Sequence, residues 1–142
     1  LNKFSAAKLS GKIYKEYLAV AGGEFYGDGV IDKPIIRPDP MKTLRDVGVG
    51  GERAVTHWKS LKVKDGCTLL RIHLETGRTH QIRVHFENAS ERRLWATICT
   101  AVRIKGLSHQ ALHCCFVRFT HPVTEKIMEF TAPMPDDMNK LT

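Results

Sequence analysis

The segment Thr76–His85, TGRTHQIRVH, concentrates side chains that bind anions and transfer protons: two arginines, two histidines, glutamine and threonine. The apolar run Cys67–Leu74 precedes it, and Ile82 and Phe86 follow at helical spacing, so the pattern predicts a turn from a strand into a helix. Backbone N–H groups at a helix start favour phosphate, and arginine adds forked donors. The segment therefore predicts an anion-binding junction, although an amphipathic helix start with a solvated charged face has the same spacing.

Two other segments of the chain, one before this junction and one after it, also resemble motifs of a known protein family. Thr76–His85 resembles the third signature of the RluA-type family of RNA pseudouridine synthases, and Tyr14–Ala19, YKEYLA, is similar to the segment with that family's active-site tyrosine. Gln110–Phe119, QALHCCFVRF, together with the residues after it, resembles the family's closing hairpin. The resemblance covers about residues 1–88 and 104–137, and GRTHQIRVH is its most specific piece.

The resemblance implies isomerisation of uridine to pseudouridine in RNA, without cofactor or metal. Such an enzyme must first flip the target uridine out of its stack. By match to the family's motifs, Tyr17 stacks on the flipped base and assists proton transfer from C5, while Arg83 pairs with an aspartate nucleophile and holds it ionised. Leu112 matches the aliphatic residue under the base. On their own, Tyr17 indicates a half-buried strand tyrosine and Leu112 a core residue.

Arg78, His80 and Gln81 of the same junction are expected to contact the RNA. The resemblance places them at the cleft, against phosphate, sugar or the flipped base. Contacts to phosphate position an RNA without reading its sequence. These three residues therefore predict binding rather than catalysis.

The histidines and cysteines do not predict a metal site or a disulfide framework. Two pairs of histidines are spaced as metal ligands could be: His80 with His85, and His109 with His113. The second pair lies at a strand pattern rather than on a helix, and no carboxylate motif accompanies either pair. The four cysteines show no CxxC spacing, and Cys114 and Cys115 would point to opposite faces of a strand. We therefore expect no metal site, and the resemblance implies that no cofactor is needed.

The charge of the chain favours a polyanionic partner. In 142 residues, 22 Lys and Arg exceed 15 Asp and Glu, for a formal net charge of +7. RNA or DNA phosphate is the commonest such partner, and the resemblance implies rRNA or tRNA. No apolar run approaches the ~18 residues of a membrane helix, and no signal peptide is visible. We expect no membrane contact, a monomer, and an intracellular location, the cytoplasm by preference with an organelle left open.

The coarse pattern predicts an α+β fold in one domain, residues 1–142. One helix follows Gly77, Gly22–Gly51 indicates a long loop with a short strand at Ile35–Ile36, and Leu1–Ser10 indicates the tail of a helix. Sequential strands with short links favour a mixed, mostly antiparallel sheet, and the resemblance implies that it is curved and incomplete at its N-terminus. Five longer strands are expected: Ile13–Val20, Ala54–Val63, Thr68–Leu74, Ala111–Phe119 and Ile127–Phe130.

Two features depart from the family. The aspartate nucleophile lies in an HRLDxxTSG motif that precedes the tyrosine segment and is missing here, so we expect a chain truncated just past the nucleophile and inert by itself. Glu91–Val102, ERRLWATICTAV, stands where the family has a Gly-Asp-x-x-Tyr-Gly run. Codons for Trp95–Val102, shifted by one base, can encode such a run, which leaves open a frameshift from about Ser90 or a genuine insert.

The sequence therefore predicts the C-terminal portion of an RluA-type catalytic domain. One alternative is a non-catalytic RNA-binding module of the same fold, in which Arg78 and Arg83 hold phosphate. Another is a structural subunit of an RNA–protein particle. An HRLD-type segment encoded upstream would favour the enzyme, and its true absence the module.

Overall fold

The computed structural model describes residues 13–42, 44–89 and 111–139. Every strand pairing within these ranges is antiparallel, in a six-stranded sheet of order β2-β5-β6-β1-β7-β8 and a two-stranded ribbon β3-β4. The predicted α+β class is confirmed, and the described sheet is antiparallel rather than mixed. The elements are β1 Tyr14–Gly22, β2 Asp28–Asp32, β3 Ile35–Ile36, β4 Asp46–Val47, β5 Val55–Lys64, β6 Cys67–Leu74, α1 Gln81–Ala89, β7 Leu112–Thr120, β8 Ile127–Thr131 and α2 Asp136–Asn139.

The five longer strands lie within two residues of their predicted limits, and β3 and the helix after Gly77 are also confirmed. The patterns missed β2 and β4, which lie in the predicted loop. The sequence of β2, DGVID, has only two adjacent apolar residues and pairs with β5 at the edge of the sheet. The predictions for Leu1–Ser10 and for the stretch from Ser90 to Val102 lie outside the described residues. No helix in the described part of the chain is long and apolar enough to cross a membrane.

The main core lies on the face of the sheet that carries α1. Ile82 and Phe86 of α1 are buried with Leu70 and Ile72 of β6, because a spacing of four residues places two helical side chains on one face. Phe25 packs edge-on against Phe86, with ring centroids 5.9 Å apart.

A second, smaller cluster joins α1 to the β3-β4 ribbon. Val84 is buried with Ile35 and Ala54, and Val47 of β4 packs against them. Because Ile82 and Val84 belong to different clusters, the helix is held between the large sheet and the ribbon. This packing determines where the residues at the start of α1 lie.

Candidate functional site

A cavity of about 220 Å³ opens where β1, β7 and the start of α1 meet. All six residues singled out from the sequence line it, although Tyr17, the junction and Leu112 lie far apart in the chain. Two residues that the sequence did not single out, Leu74 and Ile82, provide apolar wall. The lining is Tyr17, Leu74, Arg78, His80, Gln81, Ile82, Arg83 and Leu112.

Tyr17 enters the cavity from the centre of the sheet. It pairs with Ile72 of β6 on one side and with Cys114 of β7 on the other. The register shifts beside it, since Glu16 pairs with Phe116 and Cys115 is left as the extra residue of a β-bulge. A bulge bends its strand and changes the direction of nearby side chains, and such irregularities are common beside active sites.

Burial raises the pKa of the Tyr17 phenol above its ordinary value of 10.0, and Cys114 adds to the rise. The phenol therefore stays protonated at neutral pH, and at the cavity it is a hydrogen-bond donor with an aromatic face. Leu112, the first residue of β7, packs with Tyr17 against the main core. The sheet thus contributes one aromatic ring and one aliphatic side chain to the cavity.

Arg83 brings a positive charge into the cavity from the first turn of α1. Its Nε is buried and has no hydrogen-bond partner, since Glu87 Oε1, 3.9 Å away, forms an ion pair with it but lies outside hydrogen-bond range. The side chain as a whole is 31 % exposed, so it is largely withdrawn from water. Leaving a buried donor unpaired costs about 1–3 kcal/mol, and more for a charged group. Arg83 is therefore suited to an anionic partner.

Arg78 lies at the rim and is held by the chain before β5. Its Nε donates to the Arg53 carbonyl at 2.9 Å, and its Nη1 lies 3.2 Å from Glu52 Oε2. His80 is exposed and has a positive φ of 56°. Gly77 does not have one, so the turn into α1 is made through His80 rather than through this glycine. A non-glycine residue in this region is strained, and such strain is common at functional sites.

Gln81 lines the cavity but its amide is engaged within the protein. The side chain is 2 % exposed, and its Oε1 accepts from Thr76 Oγ1 at 2.7 Å and from the Arg78 backbone N–H at 3.0 Å. Its Nε2 donates to the Val55 carbonyl and to Thr56 Oγ1, each at 3.0 Å. All four hydrogen bonds of the amide are made. Gln81 thus joins the turn to β5, and the direct RNA contact expected from the sequence remains a prediction.

The histidines considered as metal ligands lie in different surroundings. His80 is exposed, whereas His85 is fully buried, and burial lowers the pKa of its imidazole below the ordinary 6.5. His113 Nε2 donates to the Ala132 carbonyl at 3.2 Å, and His109 lies outside the described residues. Within the part of the chain that the structure describes, no three side chains of His, Cys, Asp or Glu are grouped to hold a metal ion.

The cavity therefore combines an aromatic donor, an aliphatic wall and a half-buried guanidinium. Residues 1–88 match the sequence profile of the family described as RNA pseudouridylate synthase. The chain belongs to this family. The RluA-type membership inferred from the motifs is confirmed.

Several curated members of this family resemble the chain over nearly its whole length. The ribosomal large subunit pseudouridine synthase D of Vibrio vulnificus is 40 % identical over 143 residues, covering 92 % of this chain and 44 % of its own length. The uncharacterized RNA pseudouridine synthase YjbO of Bacillus subtilis is 38 % identical over 138 residues, covering 96 % of this chain and 48 % of its own. The chain thus spans somewhat less than half the length of these relatives.

Two solved structures share the fold. Human RNA pseudouridylate synthase domain containing 1 superposes with a TM-score of 0.73 at 19 % identity, covering 93 % of this chain and 59 % of that one. Human RNA pseudouridylate synthase domain containing 4 superposes with a TM-score of 0.68 at 19 % identity, covering 97 % and 64 %. At this identity the likeness concerns the fold.

Proposed function

We propose that this chain supplies the base-holding and charge-balancing half of the active site of an RNA pseudouridine synthase. The observation that carries the proposal is the meeting of Tyr17, Arg83 and Leu112 in one cavity, with a buried Arg83 Nε that has no hydrogen-bond partner. Family membership supplies the reaction, and the relatives named above supply RNA as its substrate class. Ribosomal or transfer RNA is the proposed substrate, and a monomer in the cytoplasm the proposed form.

The cavity determines what the flipped nucleotide meets. At about 220 Å³ it is smaller than the ~300–1,000 Å³ of most ligand sites, so it holds a single base better than a whole nucleotide. Leu112 and Ile82 give apolar contact to the base, and the ring of Tyr17 gives a stacking surface. These contacts to the flipped base do not depend on the RNA sequence around the target uridine.

The reaction breaks the N1–C1′ bond of uridine, turns the base, joins C5 to C1′ and removes the proton from C5. The nucleophile in this proposal is an aspartate of an HRLD-type segment, which this chain does not contain. Arg83 stabilises the ionised carboxylate, because a nearby positive charge lowers a carboxyl pKa. Tyr17 keeps its phenolic proton and donates a hydrogen bond to the base, the C5 proton passes to water, and N1, freed from C1′, takes up a proton from water.

The test compares the chain as given with a protein extended upstream through an HRLD-type segment. Release of tritium from RNA labelled at uridine C5 measures the reaction directly. The short chain should give background release and the extended protein turnover. Arg83→Met in the extended protein should lose most of kcat, because the carboxylate loses its cationic partner in a partly desolvated site.

Arg53→Met is the matched control, because Arg53 is exposed and lines no part of the cavity. Its rate should equal that of the unsubstituted extended protein. Turnover by the short chain would show that the nucleophile is not the aspartate of an HRLD-type segment. Full activity of Arg83→Met would remove Arg83 from the active site and favour the RNA-binding module.

A further inference from the structure

A second, larger cleft of about 540 Å³ lies beside the cavity, between the β3-β4 ribbon and the turn before α1. Arg37, Arg45 and Arg78 line it, and Arg78 also lines the cavity. Glu52 is the one carboxylate among the lining residues, so three positive charges face one negative charge. We call this feature the arginine cleft. It was not expected, because the sequence pattern indicated a loop for most of its wall.

Backbone carbonyls accept from all three guanidinium groups, Arg45 Nη1 donating to the Leu44 carbonyl at 3.4 Å and the other two donating through Nε. Arg37 Nε donates to the Lys42 carbonyl at 2.7 Å, and Arg78 Nε donates to the Arg53 carbonyl at 2.9 Å. A guanidinium has five N–H donors, so Arg37, anchored at Nε, keeps its terminal amino groups for other partners, and Arg78 keeps those that Glu52 does not hold. Anchoring lowers the entropy cost of binding a ligand.

The wall of the arginine cleft is closely packed. A Cβ on Gly51 would lie 2.6 Å from the backbone carbon and oxygen of Ile35, and one on Gly48 would clash with Ile36 Cδ1. Only glycine allows so close an approach of two backbone segments. The chain from Gly48 to Gly51, which we call the glycine segment, is therefore held against β3, the strand that precedes Arg37.

We propose that the arginine cleft binds the phosphodiester backbone of the RNA next to the nucleotide held in the cavity, with Arg78 on the phosphate between the two. The position of the RNA rests on the proposed function. Phosphate suits the cleft because arginine presents paired donors to its oxygens and the net charge of the lining is +2. Continuity with the cavity through Arg78 favours a nucleic-acid backbone over a free anion. Such contacts hold the RNA in register without reading its bases.

The test measures binding of a labelled single-stranded 12-nucleotide RNA to the chain as given, by fluorescence anisotropy over a series of salt concentrations. Each phosphate neutralised on single-stranded nucleic acid contributes about 0.7 to the slope of log affinity against log salt. Arg37→Gln with Arg45→Gln should therefore lower the slope by about 1.4 and weaken binding about tenfold at ~0.1 M salt. Arg37→Lys with Arg45→Lys keeps the charges and should keep most of the slope.

The matched control is Arg71→Gln with Arg118→Gln, which removes two exposed arginines that line neither the cavity nor the arginine cleft. Its slope should change by less than about 0.3, the effect of net charge alone. Equal losses in the two double variants would overturn the proposal, as would no loss in either, or no RNA binding by the unsubstituted chain. Equal loss in the lysine variant would assign the effect to the altered ribbon and also overturn it. Circular dichroism confirms that each variant is folded.

The two proposals fail in different ways. Isomerisation by the extended protein, together with an unchanged salt slope in the glutamine variant, would remove the arginine cleft and leave the catalytic proposal. A lowered slope in the short chain, with no isomerisation by the extended protein, would do the reverse. Binding of a carboxylate-rich peptide as tightly as RNA would indicate a protein partner instead and would overturn the proposal.

Discussion

Thr56 and His85 share a buried hydrogen bond of 2.7 Å whose direction is determined at the other imidazole nitrogen. His85 Nε2 lies 2.8 Å from the Lys33 carbonyl, which only accepts, so Nε2 carries the hydrogen and Nδ1 accepts from Thr56 Oγ1. Thr56 Oγ1 in turn accepts from Gln81 Nε2. A continuous buried chain of donors therefore joins the start of α1, β5 and the residue after β2.

Stability should depend on pH through His85. Burial lowers its folded pKa below the ordinary 6.5, so the unfolded chain takes up the proton first as the pH falls. Stability from this group is complete above pH 6.5 and is lost below it, at no more than about 1.4 kcal/mol per pH unit. Urea unfolding between pH 7.5 and 5 should show a steeper loss for the unsubstituted chain than for His85→Gln. Parallel curves would contradict a buried neutral imidazole.

Gln81 is expected to stabilise the fold rather than to contact RNA. Gln81→Ala removes four hydrogen bonds and takes the acceptor from the Thr76 hydroxyl and the Arg78 backbone N–H, while the Val55 carbonyl and Thr56 Oγ1 keep Glu75 and His85 as partners. The four lost bonds should cost roughly 2–4 kcal/mol of unfolding free energy. Asn88→Ala, which changes an exposed amide on the same helix, should cost less than about 0.5 kcal/mol. Chemical denaturation measures both. A stable Gln81→Ala chain with weakened RNA binding would restore the contact role inferred from the sequence.

The glycine segment beside the ribbon offers a test of close packing. Gly51→Ala places a methyl group against the Ile35 backbone and should destabilise the chain by about 1–3 kcal/mol. Gly77→Ala is the control, because a Cβ there meets nothing within 4 Å and its φ is not positive. It should leave the melting temperature unchanged or slightly raised. Similar melting temperatures for the two variants would mean that the ribbon yields easily.

Glu52 competes with RNA for Arg78 if the arginine cleft binds phosphate. Glu52→Gln removes the carboxylate 3.2 Å from Arg78 Nη1 and should raise RNA affinity about two- to fivefold at low salt. Glu129→Gln makes the same change in net charge beside Arg118, on a strand distant in sequence. Anisotropy titrations should show the smaller gain for this control. Equal gains would indicate a general charge effect with no part for the Glu52–Arg78 pair.

The sequence by itself determined the main strands, the helix after Gly77 and the family. Alternation of apolar residues in Cys67–Leu74 and helical spacing at Ile82 and Phe86 are local properties, and neighbouring residues are enough to specify them. The motif residues Tyr17, Arg83 and Leu112 were likewise found by residue type and order. The roles assigned to them remain predictions.

Only the tertiary structure decided how those residues meet and which others join them. The convergence of Tyr17, Arg83 and Leu112 depends on pairings between strands distant in sequence and on the bulge at Cys115. The inward direction of Gln81 depends on acceptors in β5.

The arginine cleft and the short strands β2 and β4 were also decided by the tertiary structure. Two- to five-residue strands of mixed composition are stabilised by partners elsewhere in the chain, and their own periodicity is too weak to predict them. Hydrogen bonding between strands and burial against other elements are non-local, and they decided this part of the molecule.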